Sequence, residues 1–194
     1  LADPAPVAQR LGAWLGGLDA KRFASASLIN NAAMLTEPAP LADANLAALS
    51  QAARVGLEAP LVLTAAFLRA TRAWAGQRRV LHISSGLGRR AMASSGPYCA
   101  VKAGLDNLAR AQALEEALQA NGAKVCSLAP GVIDTDMQVQ LRGADAKDFP
   151  DREAFVQMKS GGKLDSPASA AAKVIAYLHR ADFGSNAVGD VRDA

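Results

Sequence analysis

The sequence predicts a three-layer α/β/α fold built on a doubly wound parallel sheet, and three observations predict it. Short apolar runs of strand length alternate with longer helical stretches, the order that produces parallel strands joined by right-handed crossovers. The chain has 194 residues, 51% of them hydrophobic and 20% charged, which suits one domain with a sizeable core. The apolar runs stop at Asn30-Asn31, at Ser84-Ser85 and at Pro130-Gly131. Such strand ends are where open α/β sheets present binding groups.

The elements follow in order. Asp3-Pro4 reads as a helix start, and Val7 to Leu18 has helical periodicity. Ser27 to Asn30 is a short buried strand. Leu41 to Thr71 is a long Ala/Leu-rich helical region, with a break expected between Gly56 and Pro60 because proline disfavours helix in the residue before it. Arg79 to Ser84 is a second buried strand, and Gly86 to Pro97 a loop. Tyr98 to Ala120 reads as a long helix ended by Asn121-Gly122. Lys124 to Leu128 is a third strand. Gln138 to Pro150 is polar and patternless, and a mobile lid is expected there. Asp165-Ser166-Pro167 caps a final helix, Ala168 to His179, and the tail after Phe183 has room for one short strand.

Composition excludes several function classes. The net charge is +3, but Arg78-Arg79 and Arg89-Arg90 are isolated pairs, so no nucleic-acid footprint is expected. Cys99 and Cys126 lie outside any CxxC and have no histidine cluster beside them, which argues against a metal site. Free thiols fit a reducing, cytoplasmic setting. The first residues lack the basic and apolar stretches of a signal peptide, and no uninterrupted apolar run reaches bilayer length.

Tyr98 and Lys102 are four apart at a helix start, so their side chains share a face. An ammonium beside a phenol favours phenolate, which predicts a lowered Tyr98 pKa and a general acid for a carbonyl oxygen. Ser85 ends a strand thirteen positions before Tyr98, where its hydroxyl can bond a substrate carbonyl. Ser84 is adjacent and alternation turns it to the other side of the strand, though it remains a candidate substrate contact.

Asn30-Asn31-Ala32-Ala33, Ser85, Tyr98-x-x-x-Lys102 and Pro130-Gly131-Val132-Ile133-Asp134-Thr135 stand in this order along the chain. Together they resemble the short-chain dehydrogenase/reductase family, with its Rossmann-like fold. The resemblance implies a nicotinamide-dependent carbonyl reductase with Ser85, Tyr98 and Lys102 as catalytic residues. It implies a cofactor cleft formed by Leu1, Asn31, Ala32, Ala33, Tyr98, Lys102, Pro130, Gly131, Val132, Ile133, Thr135, Asp136 and Met137. Tyr98-Cys99-Ala100, Ala129 to Gln138 and Met158 to Leu164 are similar to the sepiapterin reductase branch. That likeness implies NADPH, a pterin-like or other small dicarbonyl substrate, and substrate contacts at Ser84, Ser85, Tyr98, Gly131 and Asp190. The residues that read the 2′-phosphate are not in this chain, so NAD stays open.

Three departures accompany the resemblance, the smallest being Ala33 where the family has a glycine, which adds a methyl close to the cofactor. The family's glycine-rich phosphate loop is absent, which implies that roughly the first quarter of the fold, its first βα units, precedes Leu1. The relay asparagine that many members carry in the long helix aligns with Gly56. This motivates an alternative, a non-catalytic nucleotide- or ligand-binding protein with the same fold. The family's habit of pairing through its two long helices implies a homodimer or homotetramer.

Overall fold

A computed structural model describes residues 1–193. Four parallel strands lie side by side in chain order: β1 (Ser25–Asn30), β2 (Gln77–Ile83), β3 (Lys124–Ala129) and β4 (Val188–Asp190). Each is followed or preceded by helix: α1 (Pro4–Gly16), α2 (Leu46–Ala53), α3 (Ala59–Thr71), α4 (Gly96–Ala117), α5 (Asp136–Gly143), α6 (Arg152–Ser160) and α7 (Pro167–Leu178).

Alternation along the two central strands builds the layers. Val80 and Val125 point to one face and pack with Leu15, Phe67, Trp74 and Ala109 of α1, α3, the turn after α3, and α4. Their neighbours Leu81 and Cys126, with Leu128, point to the other face and pack with Val174 and Leu178 of α7 and with Phe183. The sheet is therefore sandwiched between helices, as the alternation of strand and helix patterns predicts.

Three expectations need correction. β1, expected to be buried, has only Asn30 buried and leaves Ser27 and Ile29 exposed. The helix does not break between Gly56 and Pro60. A five-residue π-turn, Arg54–Glu58, carries α2 into α3 without interruption. The wider turn absorbs Pro60, which sits in the first turn of α3. The resulting helix, Leu46–Thr71, is by length and composition alone long and apolar enough to cross a membrane, although Arg54, Glu58 and Arg69 interrupt its apolar run. In this fold it lays Thr64, Phe67 and Thr71 into the core.

The polar stretch from Gln138 is not a patternless lid. It begins as α5, and Phe149 is fully buried with Leu141 against Met92. Asp134 pairs with Lys159 of α6 at 2.5 Å and with Arg142 of α5 at 3.8 Å, and Arg152 Nε donates to the Arg142 carbonyl at 3.0 Å.

Candidate active site

The C-terminal ends of β1, β2 and β3 open into one cleft of about 340 Å³. β2 delivers Ser85 there, α4 delivers Tyr98 and Lys102 on one face of its first two turns, and the chain after β3 delivers Pro130 to Ile133 and Thr135. Gly131 has φ +87°, a left-handed turn that suits glycine and swings the chain across the cleft. A bridge from Ile133 to Asp165 fixes that crossing, with the Asp134 amide donating to the Asp165 carbonyl at 2.9 Å.

Tyr98 and Lys102 meet as the four-residue spacing predicts, with Nζ 5.4 Å from the ring centroid. The direction of the Tyr98 shift does not follow the prediction. Burial pushes the phenol above its ordinary range, and the Ser85 hydroxyl pulls it part of the way back. The phenol therefore holds its proton at neutral pH, the form an acid must have. Lys102 is 2% exposed, and burial lowers its ammonium to about 8 against the opposing pull of Asp106.

Lys102 Nζ donates to the Ile83 carbonyl at 2.7 Å. An ammonium carries three donors, and no second protein acceptor for it occurs among the described residues. The Ser95 hydroxyl, buried in the same wall, has no partner. Unspent donors at the floor of a cleft that also holds Asn31, Ala33, Gly131, Ile133 and Thr135 fit a nicotinamide ribose and carboxamide. The residues present suit that half of a dinucleotide.

Not every predicted residue reaches the cleft. Leu1, Ala32 and Asp136 lie off its walls, whereas Met137 is on them. Ser84 borders the cleft, but its hydroxyl is committed to Asp106 Oδ1, to which it donates at 2.6 Å. Asp190 is 5% exposed and its carboxylate is engaged by Arg192, which donates to it from Nε at 2.8 Å and Nη2 at 2.6 Å. Arg192, rather than Asp190, lines the cleft. A carboxylate so engaged is a poor anchor for a pterin edge.

The remaining walls were not legible. Met92, Met137, Leu141, Phe155 and Met158 form an apolar side, which uses three of the four methionines in the chain. Thioethers make such a wall adaptable. These residues come from the loop after β2 and from α5 and α6, and of them the sequence placed only Met137 in the cleft.

The family model for short chain dehydrogenases matches residues 20–146. Benzil reductase ((S)-benzoin forming) of Bacillus cereus is 35% identical over 159 residues, covering 82% of this chain and 64% of that protein. Sepiapterin reductase of Mus musculus is 34% identical over 169 residues, covering 86% and 63%. This chain thus spans less than two thirds of either relative. Among solved structures, a short chain dehydrogenase from Burkholderia cenocepacia in complex with NADP superposes with a TM-score of 0.69 at 25% identity, over 97% of this chain and 70% of that one.

Proposed function

We propose a nicotinamide-dependent carbonyl reductase, and the premise is that the chain belongs to the short-chain dehydrogenase family. The observation that carries the reading is the convergence of Ser85, Tyr98 and Lys102 on one cleft with unspent donors at its floor. NADPH is the proposed cofactor. Lys102, Asn31, Ile133 and Thr135 would hold its nicotinamide half, where it supplies a hydride to a carbonyl carbon. Tyr98 gives its proton to the carbonyl oxygen, which also accepts a hydrogen bond from Ser85. The Lys102 charge beside the ring stabilises the phenolate left behind.

The substrate proposed is a ketone or dicarbonyl with an apolar, aryl-sized body. The wall of Met92, Met137, Phe155 and Met158 supports such a body, and the engagement of Asp190 by Arg192 disfavours a pterin. Leu61, Leu114 and Leu118 stand exposed on α3, on α4 and just beyond α4, which supports a homodimer or homotetramer through those helices. The free thiols support a cytoplasmic setting.

The test is NADPH oxidation by the full-length protein with a diaryl diketone, a simple aliphatic ketone and sepiapterin. Turnover fastest on the diaryl diketone is expected. Tight NADPH binding without turnover on any of them would overturn the reading in favour of the non-catalytic alternative.

A further inference from the structure

Beneath the cleft lies a buried carboxylate that the reaction as described does not use. Asp106 sits one helical turn after Lys102 on α4 and is 2% exposed. Its Oδ1 accepts from Ser84 at the end of β2, at 2.6 Å, and from Ser127 of β3, at 2.8 Å. Its Oδ2 has no hydrogen-bond donor, but Arg89 Nε stands 3.3 Å away. Arg89 continues to the Gly189 carbonyl at 2.7 Å and to Asp190 at 3.9 Å. One carboxylate therefore joins α4, β2, β3 and the loop after β2, the elements that carry Lys102 and Ser85 or border the cleft.

A buried carboxylate is costly unless it is matched by positive charge. Arg89, with a side chain about one-third exposed, matches it from the solvent side. Lys102 stands one turn before it on α4, with Nζ on the carbonyl of Ile83, the residue next to Ser84, so the field of the carboxylate favours the ammonium. We infer that Asp106 is a positioning residue for the Ser85–Tyr98–Lys102 group: it is the inner counter-charge of Lys102 and it fastens the helix bearing Lys102 to the strand end bearing Ser85. Arg89 sets how much of its charge Lys102 feels. The inference rests on the reductase reading given above.

The charged and titratable groups facing this pair are Tyr98 on α4, His82 on β2, Cys126 on β3, Arg89 on the loop, and Asp190 behind Arg89. His82 is kept neutral by burial, and burial raises the Cys126 thiol to about 11, so neither changes charge between pH 7 and 9. Over that range Lys102 and Tyr98 respond to Asp106 and Arg89.

The test compares the pH profile of kcat for carbonyl reduction in the full-length protein and in Asp106→Asn and Arg89→Gln. Activity requires protonated Tyr98 and charged Lys102, so it declines on the basic side. Asp106→Asn removes a negative charge and is expected to move that decline to lower pH by about one unit. Arg89→Gln removes a positive charge and is expected to move it to higher pH. A second readout needs no turnover: the phenolate absorbance of each protein minus that of its Tyr98→Phe counterpart should shift in the same directions. Reduced kcat with both profiles unmoved would overturn the inference, leaving Asp106 a structural tie. If Asp106→Asn does not fold, Arg89→Gln decides alone, and an unmoved profile in that variant overturns it. An inactive parent protein would instead count against the reductase reading, and the absorbance readout would still judge Asp106.

Discussion

Gly56 offers a worked test of how α4 is seated against the long helix. It lies inside the π-turn and is buried, and a Cβ built there would stand 2.5 Å from Val101 Cγ1. Ordinary carbon contacts begin near ~3.5 Å, so Gly56→Asn forces a displacement of about 1 Å between the two helices or of the valine. Overpacking of this kind costs about 1–3 kcal/mol, while asparagine regains only about 0.3 kcal/mol of helix propensity over glycine. The expected net loss is about 1–2.5 kcal/mol. Val101→Ala alone should lose about 1.5 kcal/mol for the two carbons removed, plus a cavity term. In the double variant the asparagine enters the space that the valine leaves, so the two losses do not add. A coupling of about 1–3 kcal/mol in favour of the pair is expected. Urea unfolding of the four proteins at fixed pH measures it. Additive losses, or a Gly56→Asn protein as stable as the parent, would refute the steric reasoning. The same result bears on the missing relay asparagine, because Val101 on α4 blocks its place.

Two further outcomes follow from the same structure. Lys102→Met should abolish reduction yet stabilise the fold by about 3 kcal/mol at pH 7, because burial holds the ammonium at about 8 against 10.5 in the unfolded chain. Between those values the unfolded chain binds the extra proton, so parent stability gains as pH rises; the advantage of the variant should shrink above pH 8 and vanish near 10.5, as denaturation across pH would show. Phe149→Ala empties a fully buried site beneath α5 and should lower stability by about 3–5 kcal/mol, whereas a free lid would lose almost nothing on the same thermal melt.

The two central strands were legible because each is a short apolar run whose alternate residues serve two helical layers. Val80 with Leu81 and Val125 with Cys126 show that division, and no periodicity other than two was needed. The meeting of Ser85, Tyr98 and Lys102 at one cleft was legible because a four-residue helical spacing and a strand end are local features. What escaped was non-local. Leu141 and Phe149 are eight apart, and only the meeting of α5 with Met92 makes them one cluster. The π-turn escaped because Gly56 and Pro60 carry the same signal as a helix break. The polar residues on the α4 face of β2 escaped for a different reason. His82 bonds Asn30 and Gln112, and Ser84 bonds Asp106, so their burial depends on partners 22 to 52 positions distant. Asp190 reads as an available carboxylate until Arg192 is seen to occupy both of its oxygens.

Tyr98→Phe in the full-length protein tests most directly whether Tyr98 donates the proton in carbonyl reduction, as proposed. Removing one hydroxyl from a half-buried ring leaves the cleft shape in place, so NADPH affinity, read by fluorescence titration, should stay within about threefold, while kcat with a diaryl diketone falls by about 10²–10⁴. A kcat within a few-fold of the parent at unchanged NADPH affinity would contradict the account.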